Sequence, residues 1–181
     1  MKLIKSDYDF LILGSNGFLG GEIVKELKKT KFTFFCIARK NSDYNINLNN
    51  HKKLIQIFEK INFRYVINCA AIISLDSCEK KKHQSSKINF LLPKFLGKIS
   101  QKFKFKIVQI STDHVYFSKK KNLNSEQDKT KPINFYAGTK IKAEKSLRFV
   151  KKHLIIRTNF TGKKSSKNPS FVDWIFLSTN K

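Results

Sequence analysis

The stretch 13-LGSNGFLGGE-22 holds four of the seven glycines in the chain, and it separates two segments of different periodicity. The residues before it, DFLIL at 9–13, form a short apolar run that is typical of a buried strand. After the glycines, apolar residues recur at helical spacing. Glycine at a strand-to-helix turn lets the backbone approach a pyrophosphate, while the helix N-terminus supplies amide donors. The spacing Gly14-x-x-Gly17-x-x-Gly20 therefore predicts a phosphate-binding turn, with a glycine turn that holds no ligand as the alternative.

The alternation of strand and helix continues along the rest of the chain. Further strand-like runs are 32–38, 65–71, 106–111 and 154–158, helical spacing recurs in 51–61, 88–99 and 140–149, and 118–131 and 161–170 are polar loops. Pro93 is expected to bend a helix or to form its first turn. Strands that alternate with helices predict an α/β fold, a doubly wound Rossmann-type parallel sheet with helices on both faces.

Composition restricts the class of protein. A chain of 181 residues is one domain, or one and a fraction. No apolar run reaches the roughly 18 residues of a membrane span, and the N-terminus lacks the features of a signal peptide. Cys36, Cys69 and Cys78 form no CxxC pair and no metal-like spacing. We therefore expect a soluble, cytoplasmic protein with neither a metal site nor a membrane partner.

The net charge of +24 raises the possibility of a polyanionic partner. Of the 37 basic residues, 33 are lysines and only four are arginines, and the lysines are spread along the chain. Base readout and bidentate phosphate contacts favour arginine. The pattern thus favours a solvated lysine surface and no nucleic-acid partner, with a functional polyanion surface as the alternative.

The residues after the second predicted strand bear on the choice of cofactor. In this kind of fold a carboxylate there binds the ribose of NAD, whereas an arginine accommodates the 2′-phosphate of NADP. Here Arg39 and Lys40 occupy that place, and the first acid, Asp43, comes later. The sequence favours NADP(H), with NAD(H) still possible; Arg39 as a plain surface cation is the alternative.

A second chemical signal lies further along the chain. Tyr136 and Lys140 are spaced i, i+4, so they share one face of a helix. A lysine ammonium favours the phenolate, so the pair can exchange a proton with a carbinol oxygen. Ser111 or Thr112, at the end of the fourth strand, could polarise a carbonyl. His114 is a weaker candidate base, since nothing in the sequence pairs with it.

These stretches together resemble one family. They are the GxxGxxG turn, NCAA at 68–71, STDHVYF at 111–117 and YAGTK at 136–140, with support from 66–79, 88–96, 125–144 and 154–162. In this order they resemble the extended short-chain dehydrogenase/reductase superfamily, and within it the RmlD-like branch of dTDP-4-dehydrorhamnose reductases. The resemblance runs from about residue 8 to the end of the chain.

The resemblance implies roles for individual residues. Tyr136 would be the proton donor, Lys140 would lower its pKa and bind the nicotinamide ribose, and Thr112 would complete the triad. Asn89 would be a structural asparagine below the site. The implied cofactor-binding residues are Gly14, Asn16, Gly17, Phe18 and Leu19 around the pyrophosphate, Asn47 and Leu48 near the adenine, and Cys69, Ala70 and Ala71 beside the ribose and phosphates. The family has Asp at the position of Asn47, so the adenine contact is altered.

The implied reaction is the NADPH-dependent reduction of the C4 ketone of a nucleotide-linked 4-keto-6-deoxy sugar, as in the biosynthesis of dTDP-rhamnose and polysaccharides. The alternatives are an epimerase or dehydratase on the same scaffold and a non-catalytic cofactor-binding or regulatory subunit. Residues 1–160 are expected to form the NAD(P)-binding domain. Residues 161–181 would begin a C-terminal substrate lobe that is largely missing, with the apolar side chains of 171–176 facing it. A homodimer or a second chain would then complete the sugar pocket.

Overall fold

A six-stranded parallel sheet forms the centre of the molecule, whose computed structural model describes residues 6–116 and 123–160. The strands are β1 (Ser6–Leu13), β2 (Phe34–Ala38), β3 (Tyr44–Asn45), β4 (Ile61–Asn68), β5 (Lys106–Thr112) and β6 (His153–Thr158). They lie in the order β3-β2-β1-β4-β5-β6, and every neighbouring pair is parallel. The chain begins in the middle of the sheet and crosses back between β3 and β4. This reversal places the carboxyl ends of β1 and β4 side by side, where ligands of such sheets bind.

Helices connect the strands. They are α1 (Phe18–Leu27), α2 (His51–Lys60), α3 (Leu75–Lys80), α4 (Lys82–Ser86), α5 (Leu92–Ser100) and α6 (Phe135–Leu147). Side-chain caps start three of them, because Asn50 accepts a hydrogen bond from the Lys53 amide, Ser74 accepts one from the Ser77 amide and Asn134 accepts one from the Ala137 amide. A π-helical turn, Lys87–Leu91, leads into α5. Pro93 stands in the first turn of α5, where its missing amide hydrogen costs nothing.

The main core fills one face of the sheet. Side chains of α2, α5 and α6 pack there on β1, β2, β4 and β5; the buried set includes Leu11, Leu13, Ile37, Leu54, Phe58, Val66, Leu92, Leu96, Ile107 and Leu147. Phe58 makes ring contacts with Phe63, Phe103 and Phe105, with centroids 5.0 to 5.5 Å apart. On the other face, α1 begins directly after the glycine turn and packs against β1. Helices thus cover both faces, and the predicted doubly wound α/β fold is confirmed.

All five predicted strands are present. The structure differs from the prediction in the bounds of the third strand and in three short elements that the sequence did not reveal. The third strand spans Ile61–Asn68 rather than 65–71, because the Asn68 side chain accepts a hydrogen bond from the Ala70 amide and turns the chain there. The sequence did not reveal β3, which has only two residues and lies at the edge of the sheet. It also missed the short helices α3 and α4. The described part of the polar loop, 123–131, is largely exposed, whereas segments 161–170 and 171–176 lie outside the described residues.

Among residues 6–116 and 123–160, no helix is both long enough and apolar enough to cross a membrane.

Candidate functional site

The glycine turn between β1 and α1 leaves no room for side chains at two positions. Gly14 has a positive φ of 78°, and a Cβ there would lie 2.9 Å from the backbone of Ala70. A Cβ on Gly20 would lie 2.3 Å from the Gly14 carbonyl oxygen. Gly17 caps α1 without a side-chain hydrogen bond. The first amides of α1, which have no partner within the helix, thus follow a close-packed backbone turn. Free amides at the start of a helix are the usual binding site of a phosphate group.

A cavity of about 550 Å³ opens above this turn, at the carboxyl ends of β1, β2 and β4. Its lining contains most of the residues predicted to bind a cofactor, namely Gly14, Asn16, Gly17, Arg39, Asn47, Leu48, Cys69, Ala70 and Ala71. The lining combines glycines and other small residues with amide and aliphatic side chains, and its charged residues are Arg39 and Lys87. Such a cleft suits an extended ligand that is held along its length by main-chain amides.

Arg39 stands at one end of this cavity, immediately after β2. Its side chain is exposed, and among the described residues no carboxylate forms an ion pair with it. The Asn16 side chain donates a hydrogen bond to the carbonyl of Lys40 and so ties the glycine turn to the end of β2. The backbone that carries Arg39 is thereby placed next to the turn, and its exposed guanidinium is accessible to an anionic group.

A second cavity, of about 210 Å³, lies beside the first at the carboxyl ends of β4, β5 and β6. Thr112 at the end of β5 and Tyr136 and Lys140 on α6 all line it. The predicted triad is therefore brought together, although 24 residues separate Thr112 from Tyr136. Leu19 also lines this cavity, whereas Phe18 stacks on Phe160 with ring centroids 6.0 Å apart and lines neither cavity.

Burial and one hydrogen bond act in opposite directions on Tyr136. Desolvation raises the pKa of the phenol above its ordinary value, and a hydrogen bond with Thr112 partly offsets this rise. The Tyr136 phenol is consequently neutral at physiological pH. The ring of His114 meets the Tyr136 ring edge-on at a centroid distance of 6.3 Å.

Lys140 is almost completely buried, with 3% of its surface exposed. Its Nζ donates a hydrogen bond of 2.6 Å to the Ile110 carbonyl, on β5. Burial lowers the pKa of the ammonium to about 8, an effect that the charge of Glu144 opposes. Burial likewise raises the pKa of the neighbouring Cys69 thiol to about 12, so that Cys69 is neutral.

The two cavities share Cys69 and Ala71, which line both, so they form one continuous cleft across the sheet. Asn89, which is buried, fixes the wall of this cleft. Its side chain accepts a hydrogen bond of 2.8 Å from the Ile72 amide and donates one of 2.9 Å to the Ile72 carbonyl. The expected structural role of Asn89 agrees with these two bonds.

Several lining residues were missed by the sequence analysis. They are Ala38, Asn49, Ile72, Gln84, Lys87 and Ile88 in the first cavity and Asn68, Ile73, Ile110, Thr158, Asn159 and Phe160 in the second. The residues on α4 and on the π-helical turn had one usable signal, since Gln84 and Ile88 are spaced i, i+4 immediately before Asn89. Ala38, Asn68, Ile110 and Thr158 lie at the carboxyl ends of strands, where ligands of such sheets bind. The remaining residues lie in loops, whose course the sequence pattern does not define.

The strand order and the glycine turn define a Rossmann-type α/β protein, with a cleft at the carboxyl ends of its strands. The family model described as the RmlD substrate binding domain matches residues 8–176. This chain belongs to that family.

Relatives with known structures or curated names share the fold over nearly the whole chain. A dTDP-4-dehydrorhamnose reductase from Clostridium acetobutylicum is 31% identical with a TM-score of 0.82, and covers 95% of this chain and 60% of its own. The same enzyme from Bacillus anthracis, in complex with NADP, is 27% identical with a TM-score of 0.83 over 98% of this chain and 61% of its own. A dTDP-4-dehydrorhamnose reductase from Shigella flexneri is 26% identical over 84% of this chain and 51% of its own length. The chain thus spans about half the length of the curated relatives it matches.

Proposed function

We propose that this chain binds NADPH and forms the cofactor-binding half of a reductase for nucleotide-linked 4-keto-6-deoxy sugars. The observation that carries the proposal is the continuous cleft, which joins a close-packed glycine turn to Thr112, Tyr136 and Lys140. The relatives named dTDP-4-dehydrorhamnose reductase, one of them in complex with NADP, support the choice of reaction and cofactor.

The residues present fit a dinucleotide. Backbone atoms occupy the space that a Cβ would need at Gly14 and Gly20. Since no side chain stands at these positions, the amides of the turn are accessible to a pyrophosphate. Arg39 offers a guanidinium to a 2′-phosphate. Asn47 and Leu48 would lie near the adenine. When bound, the reduced nicotinamide supplies a hydride.

The residues of the second cavity would carry out the proton transfer. Tyr136, neutral and hydrogen-bonded to Thr112, would donate its phenolic proton to the carbonyl oxygen that becomes the product hydroxyl. Lys140, which lies one helical turn further on, would stabilise the resulting phenolate and hold a ribose hydroxyl. Thr112 would orient the phenol.

The sugar-binding side of the proposed reductase is not assigned to the described residues. The predicted division into a cofactor domain of residues 1–160 and a substrate-binding part from residue 161 stays a prediction. The 181 residues correspond to about half the length of the curated relatives. A polypeptide of these residues alone should therefore bind NADPH and turn over sugar nucleotide poorly.

Turnover of dTDP-4-keto-6-deoxyglucose with NADPH, followed by the absorbance of the reduced nicotinamide and by chromatography of the sugar nucleotide, tests this function. Net oxidation of NADPH with formation of a 4-hydroxy sugar supports a reductase. A changed sugar without net oxidation would instead identify an epimerase or dehydratase. No turnover at any protein concentration, or with any added C-terminal half of a relative, would favour a non-catalytic subunit.

A further inference from the structure

A buried ionic network lies directly beneath the predicted proton-transfer residues. Glu144 on α6 has only 3% of its surface exposed, although it carries a charge. Arg157 on β6 donates to both of its carboxylate oxygens, with Nη2 at 2.7 Å from Oε2 and Nε at 3.1 Å from Oε1. Ser111 on β5 donates to Oε1 at 2.5 Å. One carboxylate thus joins α6, β5 and β6.

The network extends from Arg157 into the segment that follows β5. Its Nη1 donates to the Tyr116 hydroxyl at 2.6 Å and to the Glu126 carbonyl at 3.0 Å, and the guanidinium lies 5.1 Å from the centre of the Tyr116 ring. The hydrogen bond with Glu144, and after it the one with Tyr116, raises the pKa of Arg157, so it is permanently charged. Tyr116 and Glu126 are therefore tied to the same ion pair.

Two residues of this network adjoin the predicted site residues. Ser111 precedes Thr112 and follows Ile110, whose carbonyl accepts the hydrogen bond from Lys140. Glu144 follows Lys140 by one helical turn on the same face of α6. A buried carboxylate in this place is costly unless it has a specific partner or task, because a charge loses its hydration there.

We propose that Glu144 is a positioning residue that holds Lys140 and the carboxyl end of β5 in the arrangement that proton transfer requires. The proposal rests on the function proposed above and adds a residue to it. Glu144 touches neither cavity, so it acts through Lys140 and through Ser111. Its negative charge keeps the buried ammonium of Lys140 protonated, and its bond to Ser111 fixes the backbone that Lys140 contacts.

Several charged or titratable groups surround Lys140, and the test must separate the effect of Glu144 on the pKa of Lys140 from the effects of the others. They are Glu144 and Tyr136 on α6, Cys69 after β4, Asp113 and His114 after β5, and Arg157 on β6 through Glu144. Of these groups, Glu144 and, in its thiolate form, Cys69 raise the pKa of Lys140. Cys69 is a neutral thiol, which leaves Glu144 as the group whose removal should change the protonation of Lys140.

The decisive measurement is the pKa of Lys140 by NMR of ¹³C-labelled lysine side chains, with the resonance assigned by Lys140→Arg. Its low pKa separates it from surface lysines, which titrate near 10.4. In Glu144→Gln we expect the pKa to fall by about one pH unit, as expected for the loss of a nearby opposite charge. Ser111→Ala removes one hydrogen bond and keeps the charge, so the pKa should stay within a few tenths of a unit. Glu144→Asp should restore most of the original value.

If Glu144→Gln fails to fold because Arg157 is left unpaired, Glu144→Gln/Arg157→Met removes both charges. The pKa of Lys140 should still fall, but by less than in the single variant, because a positive charge is lost together with the negative one. An unchanged Lys140 pKa in either variant, with only the melting temperature lowered, would overturn the proposal and leave Glu144 a structural residue. NADPH titrations of the wild type as a function of pH distinguish the proposed NADPH-binding function from the proposed role of Glu144. Absence of NADPH binding would refute the proposed function alone, since the pKa of Lys140 needs no cofactor.

Discussion

The two halves of the cleft are built in different ways. The half around the glycine turn is built on a backbone turn whose close packing depends on the absence of a Cβ at Gly14 and Gly20. The half around Tyr136 is built on polar side chains that are held by other groups, since Lys140 donates to the Ile110 backbone carbonyl and Tyr136 is hydrogen-bonded with Thr112. A site that recognises a ligand by close contact needs space and amides, whereas a site that moves a proton needs groups whose pKa values are set by their surroundings.

The difference predicts opposite responses to substitution. In the glycine half, adding an atom should do the damage, and the loss should fall on binding. In the Tyr136 half, removing an atom should do the damage, and the loss should fall on the chemical step.

The largest effect is expected for Tyr136→Phe, which removes the phenolic oxygen and keeps the ring. Turnover should fall by about 10²- to 10⁴-fold, the usual contribution of a general acid, whereas NADPH affinity should stay within a few fold. Steady-state kinetics of the chain, with the C-terminal half of a relative added where activity requires it, measure turnover. A fluorescence titration measures the affinity for NADPH. Near-normal turnover would show that another group donates the proton. Lys140→Ala should damage both quantities, because Lys140 would also hold the ribose.

The next largest effect is expected for Gly20→Ala in the glycine half. Its Cβ would lie 2.3 Å from the Gly14 carbonyl oxygen, so the turn must move. Overpacking of this kind costs about 3 kcal/mol, which should appear as weaker NADPH binding and a lower free energy of unfolding. Gly21→Ala is the matched control, since its Cβ would meet nothing closer than 3.6 Å and Ala favours a helix. Equal NADPH affinity in both variants would contradict the close-packed turn.

A smaller effect is expected for Arg39→Ala, and it should concern cofactor choice alone. A charge-assisted contact is worth roughly 1.5–3 kcal/mol, so the preference for NADPH over NADH should fall about ten- to a hundred-fold. Arg148→Ala is the control, because it removes the same charge from an exposed position at the end of α6. Parallel titrations with NADPH and NADH measure the preference. If it survives in Arg39→Ala, another group recognises the 2′-phosphate.

The smallest effect compares two helix caps. Asn134→Ala and Asn50→Ala each remove a side-chain acceptor from a helix N-terminus, so each should lower the free energy of unfolding by about 1 kcal/mol in a urea titration. Only Asn134 starts the helix that carries Tyr136 and Lys140, so only its variant should also slow turnover. A similar loss of rate in Asn50→Ala would mean that general stability, and not the position of α6, limits the reaction.

Sequence reasoning predicted the sheet and the glycine half well, because both depend on local patterns. Apolar runs define buried strands, and a glycine turn between a strand and a helix has few other uses. The two-residue strand β3 is too short to give a pattern.

The Tyr136 half was predicted only as a set of residues, since its electrostatics depend on contacts between distant parts of the chain. The sequence suggested that Lys140 lowers the pKa of Tyr136. In the structure burial raises that pKa, Thr112 opposes the rise, and Lys140 bonds to Ile110. The role of Lys140 toward Tyr136 stays a prediction. The Glu144–Arg157 pair left no signal, because an acid and an arginine 13 residues apart are ordinary surface residues until the fold buries them.

The central claim, that the two halves form one dinucleotide-binding cleft, is tested most directly by calorimetric titration of the purified chain with NADPH and with NADH. We expect saturable binding of one NADPH per chain, with NADH at least ten-fold weaker on the strength of the Arg39 contact. A chain that is folded by circular dichroism but releases no heat with either nucleotide would contradict the claim.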